Sequence, residues 1–253
     1  MDTMASASKG RLLVFRILGW ILGVLTVGYS FYFVVVAIVS SEPSDTIHRF
    51  HFVAGFAGGG LIGVFSIVLV MRPAWASAFH VLVGQAVAWT IGGLMGGDFL
   101  SGLYVTAAVG VIVLALLHPD PRSLLRLPGQ PSIALLIYAL IATVPAWIYA
   151  VTEAELQHGP ASDPHVEFHH WSGVAVAALS IAGAGVATSL RGRGWEFASA
   201  ATAIAAVLFG VGGLAFPDYA GAPPAAWSWV AVAAGIGFWL LARIEIGRET
   251  LEA

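Results

Sequence analysis

Apolar residues run along this chain in long unbroken blocks and do not alternate with polar ones. Blocks of about 20 residues without two-residue alternation predict helices that cross a bilayer, not barrel strands. The pattern predicts eight spans, at about 12–39, 47–70, 75–96, 99–118, 132–152, 164–189, 195–216 and 225–243. Turn-forming residues separate them: Arg72-Pro73, Gly96-Gly97-Asp98, His118-Pro119-Asp120-Pro121, Arg191-Gly192-Arg193-Gly194 and Pro223-Pro224. The first block follows Lys9, Arg11 and Arg16, as a secretion signal would. Its run from Ile17 to Val39 exceeds the roughly 7–15 apolar residues of a signal core, so it is predicted to be a span.

The pattern also repeats. SDTIHRFHFVAG (44–55) resembles SDPHVEFHHWSG (162–173), with Ser44/Ser162, Asp45/Asp163, Phe50/Phe168, His51/His169 and Gly55/Gly173 in register. Further along, Trp75/Trp195, Gly92/Gly212, Gly93/Gly213, Leu94/Leu214 and Asp98/Asp218 match. The offset changes in the turn after the second span of each unit, where insertions are tolerated. Spans 1–4 therefore correspond to spans 5–8, dividing the chain into units 1–130 and 131–253. Each unit has an even number of spans, so both run the same way, about an axis along the membrane normal.

Composition narrows the class. The 253 residues are 58% hydrophobic and 10% charged, with mean hydropathy +0.87. Soluble domains carry roughly 25% charged residues, which excludes a water-solvated globule. The expected fold is an all-α, polytopic integral membrane helix bundle of about eight transmembrane helices, built as a tandem 4+4 parallel repeat. The chain has no cysteine, which excludes disulfides, thiolate metal centres and cysteine nucleophiles.

Charge sets the expected direction. Lys9, Arg11, Arg16, Arg72, Arg122, Arg126, Arg191, Arg193, Arg243 and Arg248 fall at one end of the spans, and only Arg49 at the other. The positive-inside rule then places both termini in the cytoplasm of a cell-membrane protein. The outer end collects Glu42, Asp45, Asp98, Glu153, Glu155, Asp163, Glu167 and Asp218 with His48, His51, His158, His165, His169 and His170.

That gathering is the candidate chemistry. Imidazole and carboxylate groups suit a transition metal such as iron, copper or zinc. His48/His51 and His165/His169 stand three and four residues apart, spacings that share a helix face. The expected metal ligands are His48, His51, His165, His169, Asp45, Asp163 and Glu167, with His170 pointing elsewhere. A haem is the alternative cofactor, held by His51 and His169 with Gly55 and Gly173 one turn below. Asp45 and Asp163 also have the position of helix N-caps. Arg49 and Glu167, opposite in sign at matching positions, are a candidate ion pair.

Three functions compete. The first is redox or metal-dependent chemistry at this outward-facing site. The second is transport of a small solute, for which the mid-membrane offers only Ser66, Gln85, Thr90, Tyr138 and Ser180, with Pro145 as a helix breaker. The third is an accessory subunit holding lipid, quinone or pigment against its small-residue faces, beside a partner membrane subunit or a second copy. Nucleic-acid binding is not expected, because the basic residues are those that set topology.

Overall fold

The computed structural model describes residues 9–97, 103–125 and 130–252, and among these every regular element is a helix. The long helices are α1 (Lys9–Val39), α2 (Arg49–Met71), α3 (Ala76–Met95), α4 (Leu103–Leu117), α5 (Ile133–Leu156), α6 (His170–Ser189), α7 (Trp195–Ala215) and α8 (Ala225–Glu252). Seven are long and apolar enough to cross a membrane. The exception is α4, a shorter apolar helix of 15 residues. Asp98 and Arg126 lie outside the described residues. The chain is thus a multi-pass membrane protein by the length and composition of its helices, and its setting is a lipid bilayer.

Single helical turns precede three of the spans, Pro43–Thr46 before α2, Pro121–Leu124 before α5 and Pro164–Glu167 before α6. The predicted sixth span, continuous from 164, is therefore broken. Phe168 and His169 interrupt it, and His169 adopts the left-handed conformation at φ 57°. A left-handed residue cannot continue a right-handed helix.

In lipid, helices associate through close packing, because apolar burial alone offers little. Small residues supply that here. α2 and α6 are the most buried spans and touch each other at the centre. A side chain at Gly58 would place its Cβ 2.5 Å from the Ala177 backbone. Gly84 of α3 and Gly183 of α6 meet backbone to backbone in the same way. Around this pair, α1 packs on α2 and α5 on α6, while α3 packs on α6 and α7 on α2. α4 then leans on α3, and α8 on α7.

The bundle has two distinct ends. At the end where α1 begins, Arg11 donates to the carbonyls of Leu116, Leu117 and His118, closing α1 onto the end of α4. Ser77 donates to Arg193 O through both backbone and side chain. Arg191 pairs with Glu245 at 3.6 Å, on the polar extension of α8 beyond its apolar part. At the other end, six histidines and the turn 217–224 come together.

Candidate functional site

Five segments build the site. His48 stands at the N-cap of α2 and His51 in its first turn. His170 opens α6. His165 comes from the single turn between α5 and α6, and Glu153 from the last turns of α5. Gly221 closes the site from the α7–α8 connection.

The four imidazoles of His48, His51, His165 and His170 are mutual neighbours. Their ring centroids lie 4.3 Å (48–170), 4.7 Å (48–165), 5.0 Å (51–165), 5.3 Å (51–170), 5.9 Å (48–51) and 6.1 Å (165–170) apart. Four imidazoles bound through nitrogen at about 2.0–2.1 Å to one tetrahedral metal hold their centroids about 5 Å apart. The ring spacing matches that figure. The donor atoms do not yet converge: among the described residues, no three His, Asp or Glu side chains stand as a formed metal site. Ring rotation on binding is therefore required.

Hydrogen bonding distinguishes these rings from structural histidines. His51 is 6% exposed, and neither ring nitrogen has a protein partner. The Nε2 of His165 and the Nδ1 of His170 are likewise buried and unbonded. Glu153, also 6% exposed, leaves its Oε2 unpaired. Buried polar atoms without partners cost about 1–3 kcal/mol each, so such a concentration calls for an explanation.

Gly221 draws two of these groups together. A Cβ at 221 would lie 2.8 Å from His51 Nε2 and 3.3 Å from Glu153 Oε2. Gly221 also sits at φ +74°, where a side chain is strained. Its carbonyl accepts from Tyr149 Oη at 2.5 Å.

The loop between α5 and α6 is held in place. Gln157 donates to Val166 O and accepts from the Ser172 N–H, and His158 Nε2 stands 3.0 Å from Met95 O. Asp163 caps the turn at His165 N and lies 2.9 Å from His165 Nδ1, with a longer contact from Trp171 Nε1. Burial resists ionisation of Asp163, but the backbone and ring N–H groups of His165 and the Trp171 indole outweigh it. They hold the carboxyl below its usual range. An ionised carboxylate only accepts, so His165 Nδ1 carries the proton and Nε2 the lone pair. A carboxylate on the far nitrogen is the usual support of a metal-binding histidine.

The other expected ligands fall elsewhere. His169 is the left-handed N-cap of α6. The expectation that His165 and His169 share a face fails because the helix is broken between them. His170, expected to point away, takes the inward position. Glu167 is exposed. Asp45 accepts from Ser40 Oγ at 2.6 Å and does not cap α2, whose N-cap is His48. Arg49 donates to Tyr219 Oη and Ser40 O rather than pairing with Glu167. Gly55 is exposed, and a side chain at Gly55 or Gly173 would meet nothing within 4 Å. Below the histidines, Phe50, Ala54 and Ala57 pack directly on Val174, Ala177 and Ala178.

Sequence reasoning missed Glu153 as a site residue and misdirected His170. Glu153 carried a signal: it continues the stripe Tyr138, Ala142, Pro145 and Tyr149 on one face of an apolar helix. Nothing local signalled His170, because its direction depends on the break at 168–169. No protein-family model, curated protein or solved structure matches this chain, so its chemistry is argued from this geometry.

Proposed function

We propose that His48, His51, His165 and His170, with Glu153 beside them, bind one transition metal at an end of a membrane-embedded bundle, for redox or metal-dependent chemistry. The observation that carries this reading is a set of four imidazoles spaced as around one metal, with the unbonded Nε2 of His165 backed by Asp163. A cation would satisfy the unpaired nitrogens and the buried carboxylate together. The donor set of imidazole and carboxylate without thiolate suits zinc, copper or iron.

The reading includes a topology. The chain is a tandem repeat of 1–130 and 131–253, and both termini face the cytoplasm. Two features support the repeat: the matched residues, and the paired packing in which α1–α2, α3–α6 and α3–α4 correspond to α5–α6, α7–α2 and α7–α8. The alternation of basic residues supports the direction. The cluster then opens to the outer face.

Elemental analysis of the detergent-purified protein, prepared without chelator, tests the metal. About one zinc, copper or iron per chain, lost in His51→Ala and His165→Ala, is expected. A protein that stays metal-free after incubation with each ion overturns the reading and leaves transport or an accessory role. Direction is tested with a membrane-impermeant maleimide on intact cells. Ser162→Cys should react and Leu125→Cys should not.

A further inference from the structure

The second half of the bundle contains a cavity that the metal reading does not use. Its volume is about 110 Å³, and it lies among α5, α6, α7 and α8. Its walls are small and apolar: Ala142, Pro145 and Ala146 from α5, Ala178 and Gly185 from α6, and Ala231 from α8 are examples. α5 and α8 flank it with half-buried residues, among them Ala142, Ala146, Ala231 and Ala234.

Two tyrosines frame that flank. Tyr138 Oη donates to Ala234 O across the cleft, at 3.1 Å. Tyr149 Oη donates to Gly221 O at the other end. They are 11 residues apart, so the cleft runs about 16 Å along α5 at 1.5 Å per residue. Between the tyrosines, Ala142, Pro145 and Ala146 of α5 and Ala231 and Ala234 of α8 line the cleft, within the apolar stretches of both helices.

The cavity also contains a polar signal. Thr202 of α7 lines it, is 4% exposed, and its hydroxyl has no hydrogen-bond partner in the protein. A helical threonine commonly bonds the carbonyl one turn back, as Thr143 does to Ala139. Thr202 forgoes that bond at the wall of an apolar space. A second apolar groove, between α3 and α4, is lined by Phe79, Val83, Val87, Val111 and Ile112, and the hydroxyl among its lining residues, that of Thr90, is paired with Ala86 O.

We propose that the α5–α8 cleft is a binding site for a lipid-tailed molecule that carries an oxygen acceptor. The molecule enters from the bilayer between Tyr138 and Tyr149, and Thr202 donates to its oxygen. Only a lipid-soluble ligand reaches a cleft within these apolar stretches, and only one with an acceptor satisfies Thr202. Fatty-acyl and isoprenoid molecules share this chemistry. The proposal goes beyond the metal site and does not depend on it.

The test uses the full chain in phosphatidylcholine nanodiscs. Two photoreactive probes are applied separately, a diazirine-bearing palmitic acid and a diazirine-bearing isoprenoid benzoquinone, and the labelled peptides are mapped. Labelling by at least one probe should concentrate on cleft residues such as Ala142, Ala146 and Ala231, and the stronger probe identifies the tail. Ala146→Trp and Ala231→Trp should each reduce it about tenfold, and Thr202→Val about three- to tenfold. Val87→Trp, in the other groove, should leave it unchanged. Labelling spread evenly over lipid-facing positions such as Ile112 and Ile148, or unaffected by both tryptophan variants, overturns the proposal. Variants are compared only when they elute as monodisperse protein, and Thr202→Val, the smallest change, guards against misfolding of the tryptophan pair. Metal content is measured on the same samples. Lost labelling with unchanged metal concerns the cleft alone, and a metal-free protein that still labels concerns the cluster alone.

Discussion

The two ends of the bundle treat buried histidine in opposite ways. His118, at the end where α1 begins, is 1% exposed and fully bonded: its Nε2 lies 2.8 Å from Pro73 O, and its Nδ1 accepts from Asp120 N. The ring packs edge-on against Phe15. It is a staple between the end of α4 and the α2–α3 turn. His51, at the other end, is buried to nearly the same degree and has neither nitrogen bonded. Its neighbours are three more imidazoles and a carboxylate. Burial alone does not separate a structural histidine from a candidate ligand; the fate of the ring nitrogens does.

The largest expected effect strikes the contrast directly. His51→Ala and His165→Ala should abolish metal content, whereas His118→Ala should retain it, as read by elemental analysis of folded fractions. Equal metal in all three variants would break the comparison. Next comes Asp163→Asn, which keeps the shape of the cap but removes the charge behind His165. Supporting carboxylates are worth about 10–100-fold in metal affinity, and competition with a chelator should show a loss in that range.

Stability should separate the ends with opposite signs. His118→Leu leaves Pro73 O and Asp120 N without their partner, at a cost of about 1–3 kcal/mol. His51→Leu, in metal-free protein, removes unpaired nitrogens from a buried place and should be neutral or stabilising. Thermal unfolding of both variants without metal measures this. If His51→Leu is as damaging as His118→Leu, the cluster is structural after all.

The smallest effect is a pH dependence at the stapled end. Burial depresses the His118 imidazole, and the bonds with Asp120 N and Pro73 O only partly oppose it. A group with a lowered folded pKa binds fewer protons folded than unfolded. Stability therefore falls as pH drops below the ordinary histidine value of about 6.5, until the folded pKa is reached. His118→Leu should flatten the slope in that window. Asp163 acts lower on the scale: its stabilisation is present above the ordinary carboxylate value of about 3.9 and is lost as pH falls through its lower folded pKa.

Much of the architecture was legible from residues alone. All eight predicted blocks contain a long helix, because bilayer thickness imposes a length and lipid excludes charge. The gathering of His48, His51 and His165 at one end of the bundle was legible because they are costly polar groups at the ends of apolar helices. The left-handed backbone of His169 was not: its match to His51 assumed an unbroken helix from 164. Asp45 was misplaced for a related reason, since Pro43–Thr46 forms its own turn and His48 takes the N-cap.

Sequence by itself thus determined how many apolar helices there are, roughly where each begins, and which end gathers the histidines, because these follow from local composition and a uniform solvent. Only the tertiary structure decided that His170 turns into the cluster, that Glu153 and Gly221 stand against His51, and that a cleft lies between α5 and α8. Those outcomes depend on a left-handed residue between two helical segments and on contacts between residues far apart in the chain. No local pattern encodes either, because each is set by how the helices pack.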